Sequence, residues 1–99
     1  MSAYLVANFT ITNQEGYQLY LQKVRKILMD HGAEVLVADQ GSEAIEGTPG
    51  PVTVVMRFAS KEAAKAWHES PEYQDVVHHR LDNTENGLGV LCEGFIPPA

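Results

Sequence analysis

The chain has 99 residues and a formal net charge of −6, from 13 acidic and 7 basic side chains. This length suits one domain, so we expect residues 1–99 to form a single domain. The basic residues are scattered, whereas a nucleic-acid-binding protein needs a basic face to neutralise phosphates. Composition and charge therefore argue against a nucleic-acid partner.

Three further features of the sequence bear on the cellular compartment in which the protein is found. The single cysteine, Cys92, excludes an intrachain disulfide, which suits a reducing environment. No apolar stretch approaches the roughly 20 residues that a membrane span needs, and the first residues lack the basic start and apolar run of a signal peptide. We therefore expect a cytoplasmic protein with no membrane partner.

Two hydrophobic periodicities alternate along the chain, one typical of strands and one of helices. Thr12 begins a capping box that includes Glu15, Gly32 supplies a left-handed helix end, and Ser60 and Ser70 are helix N-caps. The predicted elements are a strand over 3–11, a helix over 13–31, a strand over 33–38 that resumes over 43–47, a strand over 52–58, helices over 61–69 and 71–80, and a strand over 87–95. This βαββαβ order predicts an α+β, ferredoxin-like fold, with a four-stranded antiparallel sheet and both helices on one face.

One face of that sheet would have no covering layer. It would carry Tyr4, Val6, Thr53 and Val55, with Leu91 as a further candidate, and such a face is too apolar to be left to water over its whole area. Packing two sheets face to face would cover it. The pattern therefore predicts a homodimer, with space for a small-molecule ligand between the layers.

The most distinctive stretch of the chain is the run Ala-x-Ala-Trp-x-x-Ser-Pro-Glu-Tyr-Gln over 64–74. Together with Tyr17-x-x-Tyr20 and Arg80, it resembles the DUF1330 family, and the resemblance spans nearly the whole chain. It implies a ferredoxin-like fold of the dimeric α/β-barrel superfamily. It implies no settled activity, because the family is named for an unknown function. His68 stands where family members usually have another aromatic residue, which would alter the ligand if this position lines a pocket.

The same superfamily includes haem-degrading monooxygenases, whose sites use an asparagine, a tryptophan and a histidine ten residues after the tryptophan. Asn8 and Trp67 match the first two positions, but the third is Val77, and the histidines are His78 and His79. One step along a helix rotates a side chain by about 100°, so His78 would point away from the expected position. A haem-degrading or cofactor-free monooxygenase remains an alternative hypothesis.

Several polar or aromatic residues are candidate ligand contacts, each with a structural alternative. Asn8, within an apolar strand, could contact a ligand or another strand. Glu46, beside a glycine, could accept a substrate proton or lie in water. Arg80 could pair with a substrate carboxylate or tie its helix to a neighbouring acid. We expect Trp67 mainly in the core.

The histidines lack the spacing of a metal site, since adjacent His78 and His79 face different ways on a helix. We therefore expect no metal and no bound cofactor. The candidate catalytic residues are Glu46, His68 and His78, and the candidate substrate-binding residues are Asn8, Trp67 and Arg80. Three functions remain open: a dimer that binds or transforms a small organic molecule, a monooxygenase, and a non-catalytic dimeric scaffold.

Overall fold

A computed structural model describes residues 1–98. The four strands form one antiparallel sheet in the order β2-β3-β1-β4, which is the predicted ferredoxin-like βαββαβ fold. Within the described residues, no helix has the length and apolar character needed to cross a membrane. The elements are β1 (Ala3–Ile11), α1 (Gln14–Asp30), β2 (Glu34–Asp39), β3 (Val52–Phe58), α2 (Lys61–Glu69), α3 (Pro71–Leu81) and β4 (Thr84–Glu93).

The start of α1 differs from the predicted capping box. The N-cap is Asn13, whose Oδ1 accepts the backbone N–H of Gly16 at 3.3 Å. Thr12 instead donates its backbone N–H to the carbonyl of Asn83 at 2.8 Å. The Thr12 amide is thus occupied by the α3–β4 turn, and the predicted return bond from Glu15 has no free donor.

The segment over 43–47 is loop rather than a continuation of β2. β2 ends at Asp39, whose carboxylate accepts the backbone N–H of Gly41 at 2.8 Å and turns the chain. The loop closes where Ser42 donates its N–H to the carbonyl of Pro51 at 2.9 Å. Glu46 therefore lies on an exposed loop.

The hydrophobic core lies between the helices and one face of the sheet. The apolar stripe of α1 points inward as predicted, but α1 packs mainly against α3 rather than against the strands. Space therefore remains between this helix and the sheet. The buried core residues are Phe9, Tyr17, Tyr20, Val24, Val52, Met56, Phe58, Ala64, Trp67 and Tyr73.

Ser70 joins α2 to α3 and is the N-cap of the second helix. Its Oγ accepts the backbone N–H of Tyr73 at 3.2 Å and donates to the carbonyl of Trp67 at 2.7 Å. Pro71 follows at the first helical position, where its missing N–H costs nothing. The change of direction brings the rings of Trp67 and Tyr73 to a centroid distance of 4.1 Å.

The opposite face of the sheet carries no helix. Each strand contributes one valine to a row across it, because Val37 pairs with Val55, Val55 with Val6, and Val6 with Val90. Val37 and Val90, at the two ends, are 40% and 46% exposed. We call these residues the valine row. The rows on either side are more polar, comprising Glu34, Arg57, Tyr4 and Cys92 on one side and Asp39, Thr53, Asn8 and Leu88 on the other.

β4 begins earlier than predicted and contains a bulge. It takes in residues 84–86, predicted as loop, because Thr84 pairs with Ile11 at the end of β1. An extra residue near Asn86 shifts the register, and Asn86 adopts a φ of 54°, a region that asparagine tolerates. Leu91 pairs with Leu5 and faces the helices, so its predicted place on the open face is wrong.

Replacing Ser70 with alanine should destabilise the protein more than replacing Ser60. Ser60 also caps a helix, but its Oγ only accepts, from the N–H of Ala63, whereas Ser70 is buried and makes two bonds. We expect a loss of about 1 kcal/mol in the free energy of unfolding for Ser60→Ala and more for Ser70→Ala. Urea unfolding measures both, and equal losses would contradict the expected role of Ser70.

Candidate functional site

A cavity of about 540 Å³ lies between α1 and the helix-facing side of the sheet. Its wall is mostly apolar, with Leu5, Val54 and Met56 from the sheet and Leu21 and Leu28 from α1. The cavity is open to solvent on the side of His68 and Leu88, and a concave, mostly apolar surface of this size is typical of small-molecule sites. The space between α1 and the sheet is therefore the leading candidate for a ligand site.

Small residues on the sheet account for this space. β1 presents Ala7 to the cavity, and β4 presents Gly87 and Gly89. A Cβ added at either glycine would meet no atom within 4 Å. These positions of the sheet thus leave open a space that larger side chains would fill.

Polar side chains gather on the wall of the cavity that the helices form. The hydroxyls of Tyr20 and Tyr73 lie 2.9 Å apart and share a hydrogen bond. Tyr17 packs beside Tyr20 with ring centroids 5.8 Å apart, and Arg80 extends from the last turn of α3. These four residues all line the cavity, and we call them the tyrosine–arginine cluster.

Burial changes the protonation of this cluster. It raises the pKa of the Tyr20 phenol, and the hydrogen bond with Tyr73 adds to the rise, while the charge of Arg80 opposes it. Burial likewise raises the pKa of Tyr17. Burial acts to lower the pKa of Arg80, but the phenols of Tyr73 and Tyr20 together outweigh it and the net shift is upward. The cluster therefore holds two phenols that resist ionisation, those of Tyr17 and Tyr20, beside the permanent cation of Arg80.

Trp67 adds an unused hydrogen-bond donor to the same wall. Its ring is 1% exposed, lines the cavity, and packs against Phe58 at a centroid distance of 5.5 Å. Within residues 1–98, its buried Nε1–H has no hydrogen-bond partner. Leaving such a donor unpaired costs free energy.

The structure brings together three of the six candidate residues. Trp67, His68 and Arg80 all line the cavity, with His68 on its exposed side. The His68 ring lies 5.6 Å from that of Tyr73. The predicted aromatic and basic contacts of α2 and α3 therefore share one site.

Asn8 lies on the opposite face of the sheet. Its Nδ2 donates to the carbonyl of Gly50 at 3.0 Å and to the Thr53 hydroxyl at 3.2 Å, and its Oδ1 accepts the N–H of Gly50 at 2.8 Å. Gly50 is needed there, because a Cβ would lie 2.5 Å from the backbone oxygen of Phe9. The Asn8 side chain thus fastens the β2–β3 loop and bonds to the neighbouring strand through Thr53, and it does not line the cavity between α1 and the sheet.

The residues of the monooxygenase hypothesis do not form one site. Asn8 and Trp67 are on opposite sides of the sheet, and His78 is exposed and outside the cavity wall. His78 and His79 lie side by side, with ring centroids 4.0 Å apart. Within the described chain, no three His, Cys, Asp or Glu side chains group together to hold a metal ion.

Sequence reasoning missed the part that Tyr73, Gly87 and Gly89 play. A signal for Tyr73 existed, since it is an aromatic residue in the first turn of the helix that Ser70 caps, three residues after that cap. The two glycines alternate around Leu88, which places both on one face of a strand. That the space beside these glycines is open could not be predicted without knowing the position of α1.

Comparisons with known proteins agree with the fold. The family described as "Domain of unknown function (DUF1330)" matches residues 2–95, which confirms the resemblance seen in the sequence. No curated protein sequence gives a significant match. A Rhodopseudomonas palustris protein of unknown function is similar in structure, with a TM-score of 0.82, 15% identity, and coverage of 97% of this chain and 84% of that chain.

Two further solved structures share the architecture. A Thermobifida fusca protein, described as a dimeric ferredoxin-like protein of unknown function, has a TM-score of 0.63 and 13% identity, over 92% of this chain and 89% of its own. A Bacteroides thetaiotaomicron protein, provisionally assigned as an antibiotic biosynthesis monooxygenase, has a TM-score of 0.65 and 20% identity, over 99% and 93%. At these identities the likeness establishes the ferredoxin-like fold alone.

At alkaline pH, the stability of the protein should depend on the buried phenol of Tyr20. Because its pKa is raised in the folded chain, the unfolded chain releases the phenol proton first, and stability present below about pH 10 falls as the pH rises further. Tyr20→Phe should make this fall shallower between about pH 9 and 11, by up to about 1.4 kcal/mol per pH unit.

Urea unfolding across this pH range provides the measurement. Ser60→Ala is the control, because it weakens a cap without removing a phenol and should keep the wild-type slope. An unchanged slope in Tyr20→Phe would contradict the inferred burial of the phenol.

Proposed function

We propose that this chain, which belongs to the DUF1330 family of domains of unknown function, is a homodimer that binds a small organic molecule in the cavity between α1 and the sheet. The observation that carries the proposal is the cavity itself. Its volume of about 540 Å³ falls within the range of small-molecule sites. Its mostly apolar wall and few convergent polar groups are typical of such sites.

The cavity favours binding over a purely structural role. A scaffold without ligand would be more stable with the space filled by side chains, since atoms that border a void forgo dispersion attraction on that side. Glu46 and His78, two of the three candidate catalytic residues, lie outside the cavity. We therefore propose binding and assign no reaction.

The valine row supports the homodimer. An apolar centre with more polar rows on both sides is the usual anatomy of a protein interface, and stacking two copies of this face would cover Val37 and Val90. The Thermobifida fusca neighbour is described as dimeric. Dimerisation through this face would leave the cavity, on the other side of the sheet, free to bind its ligand.

Filling the cavity should abolish binding while the fold persists. Gly89 does not have a positive φ, and a Cβ there enters open space, so Gly89→Leu should place its side chain in the cavity without backbone strain. Binding of naphthalene-2-carboxylate, measured by heteronuclear NMR titration, should fall at least tenfold in this variant. The matched control is Glu93→Leu, a leucine on the same strand and face but outside the cavity wall. Equal binding in both variants would contradict the proposed site.

Charging the valine row should dissociate the dimer. Sedimentation at micromolar concentration should give twice the chain mass of 10.9 kDa for the wild type. Val55→Asp places a carboxylate between Val6 and Val37, so it should give a monomer. Leu19→Asp, at an exposed position on α1, should remain dimeric. A monomeric wild type, or a dimeric Val55→Asp, would exclude assembly through this face.

A further inference from the structure

The charge of the cavity wall is opposite to that of the chain. The protein has a net charge of −6, yet none of the residues that line the cavity is Asp or Glu. Arg80 is the wall's permanent cation. Within residues 1–98, it makes no ion pair with a carboxylate, whereas Arg57 on the open face pairs with Glu34. The positive charge of the lining is therefore a property of the cavity and not of the chain as a whole, whose net charge is negative.

Arg80 is held without a counterion. Its guanidinium is half-buried, and the side chains of Tyr73 and Tyr20 beside it raise its pKa against the effect of burial. A protonated phenol can accept from one of the five N–H donors, but it cancels none of the charge. A cation taken partly out of water gains most from an anion that can accept several of these donors at once.

The neighbouring hydroxyls are also arranged to donate. Of the two hydrogens on Tyr20 and Tyr73, one lies between the two oxygens, which leaves one O–H for another acceptor. Burial keeps the Tyr20 phenol protonated at neutral pH. Tyr17 offers a further O–H close by. The tyrosine–arginine cluster is therefore rich in donors and matches a group that only accepts.

From this geometry we propose, resting on the function proposed above, that the ligand is an apolar organic anion whose carboxylate binds Arg80 and the phenol donors. Its hydrocarbon body lies along the apolar wall, toward the space left by Gly87 and Gly89. The apolar wall binds the hydrocarbon body, and the guanidinium binds the negative charge. A neutral molecule of the same shape gains the free energy of apolar burial but not that of the charge-assisted bond.

A matched pair of probes tests the preference for an anion. Naphthalene-2-carboxylate and naphthalene-2-carboxamide have nearly the same shape and differ in charge. NMR titration of the wild-type protein at neutral pH should show the carboxylate binding at least tenfold more tightly, as a charge-assisted bond predicts. Raising the salt concentration should weaken the binding of the carboxylate and leave the binding of the carboxamide unchanged.

Variants assign the preference to one side chain. Arg80→Gln should reduce the carboxylate affinity to that of the amide and leave amide binding as in the wild type. Arg80→Lys should keep part of the preference, because it retains the charge without the planar donor geometry. Arg25→Gln removes the same charge from an exposed position on α1 and should behave as wild type.

The outcomes separate the anion preference from cavity binding. If both probes bind equally to the wild type and both are lost in Gly89→Leu, the cavity binds ligands and the preference for an anion is wrong. If neither probe binds, or if Gly89→Leu leaves binding intact, both proposals are wrong. The comparison of the two probes on the wild-type protein tests the preference for an anion even if Arg80→Gln fails to fold.

Discussion

The two hydrogen bonds of the Ser70 hydroxyl hold the junction on which the rest of the site depends. One ends α2 at the Trp67 carbonyl and the other begins α3 at the Tyr73 amide, so a single oxygen fixes the change in helix direction. Trp67 and Tyr73 then pack ring to ring, and Tyr73 meets Tyr20 on α1. α1 is held to the helix layer by these rings and touches the sheet where Tyr17 packs on Phe9, and the cavity lies beside this contact.

β1 separates the cavity from the open face of the sheet. Its alternating side chains give Leu5, Ala7 and Phe9 to the cavity wall and Val6 to the valine row. Asn8 stands on the open face, where its side chain holds the β2–β3 loop through Gly50. This polar residue of β1 thus bonds within the protein, to the loop and to Thr53 of β3.

The element order and the two faces of β1 could be predicted because they depend on local periodicity and on end signals such as Ser60 and Ser70. The errors arose where a distant partner decided the outcome. The N-cap of α1 is Asn13 rather than Thr12, whose backbone N–H bonds to the carbonyl of Asn83, and Leu91 faces inward because it pairs with Leu5. Arg80 and Trp67, which line the cavity, were identified through the family resemblance. The orientation of Asn8 depended on the identity of Gly50 as its partner, which no local pattern contains.

The glycines of β4 carry a consequence for stability. Glycine weakens a strand, because its backbone loses more conformational freedom on folding and it has no side chain to pack. Gly87 and Gly89 stand where larger residues would meet open space, so many substitutions there should strengthen the strand while closing the cavity. The openness of the cavity and the stability of β4 are therefore opposed at these two positions, and a variant series at position 89 would measure how much stability the open cavity costs.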